Sequence, residues 1–405
     1  MRTAVIVLGD LGRSPRMQYH AASLAAAGSG VDLIGLEGAD VMPAVQSDSR
    51  ITVHRLPDRS FAGRNTGGVR RFVYSSLARG IGQAWRLFRM LMRIPKPDVM
   101  LVQNPPAFPT LFVTWAASRL RGARFVIDWH NLSHTIAAVK VGEHHRAVKA
   151  IARSERRWAK RASAHLAVSS ALAEWLARQY KVKATVLYDR PGQAFSRTGT
   201  DAANTLWEKL AKDHRFGVRV PLVVCPTSWT PDEDFDLLLE ALERTERQLR
   251  IQASSLGVIL TGRGPLRESF EARAARRGFT AILLRTIWLD PADYPTLVGM
   301  ADLGLCLHQS SSGLDLPMKL ADLSGAGVPS AVYDYAPVLG EVMTTGQHGV
   351  TFRDPGDLAN VLIAVATRSV TPDSALGRSR TWLAGHSPER WDAQWNTAAR
   401  PVLLP

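Results

Sequence analysis

The chain has little of what marks a disulfide-bonded, zinc-binding or membrane-spanning protein. Its 405 residues include two cysteines, Cys225 and Cys306, each inside an apolar run. This usage predicts buried, reduced thiols and excludes a disulfide framework or a zinc site. No apolar run approaches the ~20 residues that span a bilayer, and the apolar start Met1–Leu8 is too short for a signal peptide. We therefore expect a cytoplasmic protein.

Acidic residues are scarce relative to basic ones. The 50 Lys and Arg against 36 Asp and Glu give a formal net charge of +14, which indicates an anionic partner. Much of the excess lies in Arg70–Lys96 and Lys140–Arg161, where basic and apolar residues alternate. This pattern is typical of amphipathic helices on an anionic membrane surface, and solvated helix faces are the alternative. No motif supports nucleic-acid binding.

The length of the chain predicts two domains. Apolar runs alternate with helical patterns in both halves, which indicates an α/β fold of two Rossmann-like, doubly wound domains. We expect a first domain at 1–190, a linker with irregular structure at 191–220, a second domain at 221–384, and a C-terminal helix at 385–405 that packs on the first domain. The predicted strands are 3–8, 31–35, 51–55, 99–103, 124–128, 165–168, 185–187, 222–225, 257–261, 281–284, 303–308, 330–333 and 349–352. The predicted helices of the first half are 16–27, 69–93, 110–120, 143–162 and 170–179.

Polar residues follow successive predicted strands, at the edge where doubly wound sheets bind ligands. In the first half they include Asp10, Gly12 and Arg13 after the first strand, and Asp128 with His130 after a later one. Two such domains that face each other would bring these loops to a shared cleft. Asp128, His130 or Asp10 could act as a general base, and spacing alone does not choose among them. Tight turns and a structural histidine are the alternatives.

The second half contains a polar loop, 310–319, that leads into a helix carrying Lys319 and Asp322. A helix N-terminus exposes N–H groups and partial positive charge, so it suits a phosphate. The lysine adds a full charge, and the aspartate offers oxygens to ribose hydroxyls. We therefore predict a nucleoside-diphosphate site, whereas Glu233 and Asp234 predict only a helix start. Further candidates at this site are Ser228, Arg263, His308, Ser311, Ser312, Gly313, Leu314, Asp315 and Glu341.

Six ordered segments together resemble one enzyme family. They are VLGDLGRSPRMQYH at 7–20, LVQNPP at 101–106, IDWHN at 127–131, LYDRP at 187–191, TSWTPDEDF at 227–235 and SSSGLDLPMK at 310–319. In this order they resemble the signature loops of the chitobiosyldiphosphodolichol β-mannosyltransferase family. The resemblance implies a GT-B glycosyltransferase that uses GDP-mannose, inverts the anomeric carbon and needs no metal or cofactor. The implied acceptor is an N-acetylglucosamine-terminated, pyrophosphate-linked polyprenol on the cytoplasmic membrane face.

Inversion needs a base on the acceptor side and charge stabilisation on the departing diphosphate, which assigns hypothetical roles to the candidate residues. Asp128 or His130 would deprotonate the acceptor, while Lys319, Arg263 and the N–H groups of 312–315 would neutralise the departing GDP. Retaining GT-B enzymes often carry two glutamates eight positions apart around this loop. Here Asp322 stands in place of the second and Leu314 in place of the first. The absence of the first carboxylate fits inversion.

Membrane attachment and specificity are expected to differ from the eukaryotic members of the family. Those members begin with a membrane anchor, so we expect a bacterial relative that lacks it and is held peripherally on the inner face of the cell membrane by its basic helices. One alternative is a glycosyltransferase of cell-surface polysaccharide synthesis with another donor. The other is a non-catalytic subunit that recruits a transferase to the membrane. The sequence leaves the acceptor, the lipid and the oligomeric state open.

Overall fold

The computed structural model describes residues 1–57, 69–214 and 219–404, which form two compact units. The first comprises Met1–Tyr188 and Asp392–Pro405, and the second comprises Asp189–Trp391. The side chains of 69–79, which include the basic residues Arg70, Arg71 and Arg79, lie outside the described part, as do residues 215–218 of the expected linker. Across the ranges described, every helix is too short or too polar to cross a bilayer.

The first unit is built on a parallel sheet of seven strands. They are β1 (Arg2–Asp10), β2 (Gly30–Leu36), β3 (Ile51–Leu56), β4 (Val99–Asn104), β5 (Arg124–Trp129), β6 (Ala164–Ala167) and β7 (Thr185–Val186), in the spatial order β3-β2-β1-β4-β5-β6-β7. The helices are α1 (Pro15–Ala26), α2 (Pro43–Gln46), α3 (Val69–Arg93), α4 (Thr110–Arg121), α5 (Ser133–Val141), α6 (Arg146–Ala159) and α7 (Ser170–Gln179). The central strands are apolar along their length because helices cover both faces of the sheet.

The second unit repeats this scheme with six parallel strands. Its helices are α8 (Thr200–His214), α9 (Phe235–Ile251), α10 (Arg267–Arg277), α11 (Asp293–Gly299), α12 (Lys319–Gly325), α13 (Pro355–Ala366) and α14 (Ala375–Gly385). The strands are β8 (Leu222–Pro226), β9 (Leu256–Thr261), β10 (Ile282–Ile287), β11 (Leu303–Cys306), β12 (Ser330–Tyr333) and β13 (Gly349–Phe352), in the order β10-β9-β8-β11-β12-β13. Cys225 and Cys306 are buried free thiols on neighbouring strands, as predicted.

The C-terminal segment belongs to the first unit from Asp392 onward. It comprises α15 (Trp391–Gln394), a π-helical turn (Trp395–Ala399) and α16 (Arg400–Leu403). Trp395 and Leu403 are fully buried, so the segment contributes to the core of that unit.

The doubly wound prediction is confirmed, since each predicted strand overlaps an observed one. Two helical segments differ from expectation. The predicted helix 143–162 begins only at Arg146, and a separate helix, α5, precedes it. The segment 191–220, expected to be irregular, contains α8, which packs Leu206, Trp207 and Leu210 into the core of the second unit. The i, i+1, i+4 spacing of these side chains gives α8 one apolar face.

Candidate active site

A buried aspartate that follows the apolar part of β5 is the centre of a charged cluster in the first unit. Arg16 of α1 holds both oxygens of Asp128, with Nε 2.8 Å from Oδ2 and Nη2 2.9 Å from Oδ1. Burial would raise the pKa of Asp128, but the charge of Arg16, the hydrogen bond from His130 and the nearby ring of His20 hold it well below its ordinary value. Asp128 therefore stays ionised at neutral pH. It is suited to orient its neighbours and is a poor proton acceptor.

A tryptophan of the C-terminal segment determines which ring nitrogen of His20 carries the proton. The indole Nε1–H of Trp395 donates to Nδ1 of His20 over 3.0 Å, and an indole N–H can only donate. Nε2 of His20 lies 3.3 Å from Oδ2 of Asp128 and so carries the proton. Burial lowers the pKa of His20 despite the nearby carboxylate. His20 is therefore neutral, and its Nε2–H lies close to the carboxylate of Asp128 without the alignment of a hydrogen bond.

His130 is the member of the cluster that reaches solvent. Its Nε2 lies 3.2 Å from Oδ2 of Asp128, and its side chain is 19% exposed whereas the aspartate is fully buried. A proton on Nε2 satisfies the carboxylate and leaves the lone pair of Nδ1 available to accept another proton. This geometry is that of a histidine base positioned by an aspartate.

A second buried carboxylate holds the loop around His130. Glu155 of α6 accepts hydrogen bonds from Nδ2 of Asn104 at 2.9 Å, the backbone N–H of Ser133 at 2.7 Å and Nδ1 of His134 at 2.6 Å. The carbonyl of Asn104 in turn accepts the backbone N–H of His130 at 2.9 Å. Glu155 thus joins the ends of β4 and β5. The sequence analysis missed Glu155, because it lies in an arginine-rich stretch without a recognisable motif.

Asp10, the third candidate base, braces a loop. Its carboxylate accepts the backbone N–H groups of Gly12 and Ala39, each at 3.0 Å. A Cβ on Gly12 would lie 2.4 Å from the carbonyl of Asp40, so a glycine is needed for the two loops to approach. Arg13 ends the 3-10 turn Leu11–Arg13, which Asp10 caps, and is exposed. The geometry supports the tight-turn interpretation of Asp10 and Gly12.

In the second unit, Lys319 at the start of α12 is paired with a carboxylate. Its ammonium contacts Glu233, whose carboxylate also accepts the hydroxyl of Thr227 and the backbone N–H groups of Ser228 and Trp229, the last two at 2.9 Å. Burial would lower the pKa of Lys319, but Glu233 raises it, so the ammonium stays charged.

The acidic run at 232–234 therefore does more than start a helix. Asp234 caps α9 through the N–H groups of Asp236 and Leu237, as the sequence predicts. Glu233 instead is buried and organises the loop that carries Ser228. The backbone N–H of Ser228 donates to this carboxylate, so it is not available to a phosphate.

His308 is a second fixed cation in this unit. Its Nδ1 lies 3.2 Å from Asp232 and its Nε2 3.0 Å from Asp315. Burial would lower the pKa of His308, but these two hydrogen-bonded carboxylates raise it to about 9. His308 is therefore an imidazolium at neutral pH, held between two acidic side chains.

The serine-rich loop 310–315 satisfies its own backbone. The N–H of Gly313 donates to Oγ of Ser310 at 2.8 Å, and the N–H of Leu314 donates to Oγ of Ser312 at 3.2 Å. Ser310 also donates to Asp315. We expected the backbone N–H groups of 312–315 to be available to a phosphate. Those of Ser312, Gly313 and Leu314 instead donate to serine hydroxyls, so the expectation does not fit these three residues. Ser311 lies in the same partly buried loop.

Asp322 lies one turn into α12 from Lys319. It is partly buried, and its Oδ2 accepts the hydroxyl of Tyr294 at 3.2 Å. Burial raises its pKa to about 7, with a further contribution from the charge of Asp189. The carboxylate thus changes its charge near neutral pH.

The remaining candidates lie on neighbouring loops of the second unit. Arg263 follows β9, is exposed, and stacks its guanidinium 4.3 Å from the ring centre of Trp288. Gly262 on one side of it has a φ of +108°, and a Cβ there would lie 1.9 Å from the carbonyl of Thr227. Glu341 ends the 3-10 helix Pro337–Glu341 and is partly buried. In the described ranges, no three His, Cys, Asp or Glu side chains are grouped to hold a metal ion.

Breaking the buried pair in the first unit should destabilise the protein strongly. Arg16→Met removes the cation beside a fully buried carboxylate, and the loss of one partner of such a pair costs about 3–5 kcal/mol. Urea denaturation of the variant would measure the change in the free energy of unfolding. The exposed pair Arg50–Asp48 supplies the control, since Arg50→Met should leave stability unchanged. Equal stability of the Arg16 variant and wild type would show that Asp128 is not held as described.

The first unit and the full chain both match known proteins. A family model for a glycosyl transferase 4-like domain matches residues 12–188. A chitobiosyldiphosphodolichol beta-mannosyltransferase of Mus musculus is 35% identical over 431 residues, covering 98% of this chain and 88% of the relative. The Homo sapiens protein of that name is 34% identical, with 98% and 92% covered. UDP-glycosyltransferase TURAN of Arabidopsis thaliana is 34% identical, with 99% and 97% covered.

Solved structures share the fold at low sequence identity. Anabaena Alr3699/HepE in complex with UDP and glucose gives a TM-score of 0.68 at 15% identity, with 98% of each chain covered. Sucrose-phosphate synthase from Thermosynechococcus elongatus gives a TM-score of 0.65 at 14% identity, with 98% of this chain and 97% of that chain covered. At these identities the likeness concerns the fold alone.

Proposed function

Since the chain belongs to the chitobiosyldiphosphodolichol β-mannosyltransferase family and is a GT-B glycosyltransferase, we propose that it transfers mannose from GDP-mannose with inversion. The acceptor is an N-acetylglucosamine-terminated glycan on a lipid-linked pyrophosphate. The names of the mouse and human relatives support this acceptor class and the β-mannosidic product. The observation that carries the chemistry is the His130–Asp128 pair, because inversion requires a base for the acceptor hydroxyl.

In the proposed reaction His130 takes the proton. Nδ1 of His130 accepts the proton of the acceptor hydroxyl as the hydroxyl oxygen bonds to the anomeric carbon of mannose. The bond from that carbon to the diphosphate breaks in the same step, and GDP leaves with the electron pair. Asp128 holds the ring of His130 through Nε2 and stabilises the imidazolium that forms. His20 and Arg16 keep the carboxylate in place.

Cations of the second unit balance the charge of the departing GDP. Lys319 and His308 are positively charged but are paired with carboxylates, and Arg263 offers an exposed guanidinium. Preorganised charges act where negative charge develops in the transition state. Asp322 would accept the ribose hydroxyls. No step requires a metal, so transfer should persist in a chelator such as EDTA.

The loop 310–315 supports inversion over retention. Leu314 supplies no carboxylate, and the neighbouring Asp315 is occupied by His308 and Ser310. A carboxylate held between two donors is poorly placed to act as a nucleophile on the donor sugar. A single displacement is therefore the mechanism that these residues favour.

A lipid-linked acceptor places the reaction at a membrane. We propose that the protein lies on the cytoplasmic face of the cell membrane as a peripheral protein, attracted by anionic lipid. The net charge of +14 supports this location.

Labelled GDP-mannose incubated with a panel of polyprenyl-pyrophosphate glycans tests the proposal. Linkage analysis should find mannose joined through a β bond to a terminal N-acetylglucosamine. An α-linked product would overturn inversion, and an absence of transfer from GDP-mannose to every acceptor would overturn the donor and acceptor together.

A different donor is the second candidate, because the Arabidopsis relative is called a UDP-glycosyltransferase. Parallel assays with UDP-, ADP- and GDP-sugars decide between them. Turnover with a UDP-sugar that exceeds turnover with GDP-mannose would establish the second candidate. Tight GDP binding without transfer to any acceptor would instead indicate a non-catalytic subunit.

The binding of GDP should depend on pH through Asp322. The ionised carboxylate is the form that accepts two ribose hydroxyls, and its pKa is about 7 in this structure. Affinity for GDP should therefore rise with pH, by up to about tenfold between pH 6 and pH 8. Asp322→Asn should bind GDP more weakly and without this dependence. Titration calorimetry across the range measures both, and a wild-type affinity independent of pH would reject the ribose assignment.

A further inference from the structure

The described part of α3 has three distinct faces. Leu87 and Leu91 are buried against the first unit. Ile81 and Trp85, one helical turn apart, are 63% and 59% exposed. Arginines at 86, 89 and 93 lie between the two faces, as the 100° step of a helix dictates. The buried face with Leu87 and Leu91 anchors the helix to the first unit. The second apolar face, with Ile81 and Trp85, is exposed to solvent and bordered by arginines.

Neighbouring elements extend this exposed apolar face. A Cβ on Gly80 would lie 3.5 Å from Cε1 of Phe108, so this 54% exposed ring lies against α3. Phe112 on α4 is 45% exposed and packs its ring 5.3 Å from that of Trp158 on α6. The guanidinium of Arg161 lies 5.4 Å from the centre of the same tryptophan. Aromatic rings and arginines thus continue from α3 across α4 to α6.

Both apolar exposure and positive charge are concentrated in this part of the chain. Of the eleven exposed large hydrophobic residues found among the described residues, eight lie between 81 and 141. Residues 80–161 contain 15 Lys and Arg against four Asp and Glu, which accounts for 11 of the chain's 14 net positive charges. Two of those four acids, Asp128 and Glu155, are fully buried. The surface here is therefore almost purely cationic around its exposed rings.

We propose that Ile81, Trp85, Met92, Phe108 and Phe112 form an insertion surface that enters the headgroup region of an anionic phospholipid bilayer. Aromatic rings with a cationic border are suited to the boundary between headgroups and acyl chains. The arginines of α3 and the basic face of α6 would lie against lipid phosphates. A protein partner of ordinary composition would not match so large an excess of one charge. The proposal deepens the membrane part of the proposed function and rests on it for its role in catalysis.

The insertion surface is connected to the loop that carries His130. Phe108 follows the backbone N–H of Ala107, which donates to Oγ of Ser133 over 2.8 Å. Asn104, four residues before Phe108, holds the backbone of His130 through its carbonyl. Insertion of Phe108 would therefore bring the bilayer beside the proposed base. The polyprenyl chain of an acceptor could remain in the membrane while its sugar reaches His130.

Flotation with vesicles tests the surface directly. Wild type should float with vesicles of phosphatidylcholine and phosphatidylglycerol, and Ile81→Ser/Trp85→Ser should bind at least about tenfold more weakly because exposed apolar area is lost. Arg86→Glu/Arg89→Glu should weaken binding by a similar factor in a salt-dependent way. Ile251→Ser is the matched control, since Ile251 is 79% exposed in the second unit, and it should bind like wild type.

Three results would overturn the proposal. They are failure of wild type to float with anionic vesicles, equal binding of the Ile81/Trp85 variant, and equal binding to vesicles of phosphatidylcholine alone. A dimer in ultracentrifugation that the same double variant abolishes, without vesicle binding, would assign the surface to a second copy of the chain. Transfer to a short-chain, water-soluble acceptor separates this proposal from the function. The double variant should keep that activity and lose transfer to a vesicle-embedded acceptor.

Discussion

Replacement of His130 by alanine should lower kcat by about 10²- to 10⁴-fold, the usual contribution of a general base. The variant lacks the proposed base, while Asp128 keeps its pair with Arg16. Initial rates with saturating GDP-mannose and acceptor measure the loss. Affinity for GDP should be unchanged because the proposed nucleotide site is formed by residues of the second unit.

His144→Ala is the matched control for this prediction. His144 is an exposed histidine between α5 and α6, and its loss should leave kcat unaltered. Thermal melting of the His130 variant should resemble that of wild type, since its partly exposed ring makes one side-chain hydrogen bond within the described structure. A kcat within a factor of about two of wild type would remove His130 from the mechanism.

Replacement of Lys319 by alanine should lower kcat by about two orders of magnitude. Removal of one preorganised charge at the leaving group typically costs ~3 kcal/mol of barrier. Lys319→Ala also leaves the buried carboxylate of Glu233 without its cation, so stability should fall, although Glu233 keeps its hydrogen bonds from Thr227, Ser228 and Trp229. Circular dichroism checks the fold, and single-turnover rates with GDP-mannose measure the chemical step.

Two further variants refine the role of Lys319. Lys209→Ala removes an exposed lysine of the same unit that pairs with Asp293, and it should not change turnover. Lys319→Arg keeps the charge and should retain part of the activity. Near-normal turnover of Lys319→Ala would contradict the proposal that this ammonium stabilises the departing GDP.

The sequence predicts the sheets well because each strand is a short apolar run bounded by turn residues. It predicts the helices less well where other signals mask the pattern. In α8, the polar stretch before Ala203 suggests a linker, although the spacing of Leu206, Trp207 and Leu210 is helical. In α5, no side chain is fully buried, so there is no apolar stripe to detect.

The site was predictable only where its residues are neighbours in the sequence. Asp128 and His130 are two residues apart, and both stand out in one motif. Arg16 pairs with Asp128 across 112 residues, and Lys319 pairs with Glu233 across 86. Such pairs form only in the folded chain. For Glu233, the acidic run before a helix already explained the residue as part of a helix start, so nothing in the sequence indicated its pairing with Lys319. The sequence did contain a hint for Arg16, because the family-like segment 7–20 includes this residue.

The hydrogen bond from Trp395 to His20 has a consequence for biosynthesis. Trp395 leaves the ribosome after the whole second unit, whereas His20 leaves it near the start. Domains generally fold as they are translated, N-terminal ones first. During translation the first unit therefore has no indole donor for Nδ1 of His20, and the hydrogen-bonded cluster around Asp128 is completed only after the whole second unit has been synthesised.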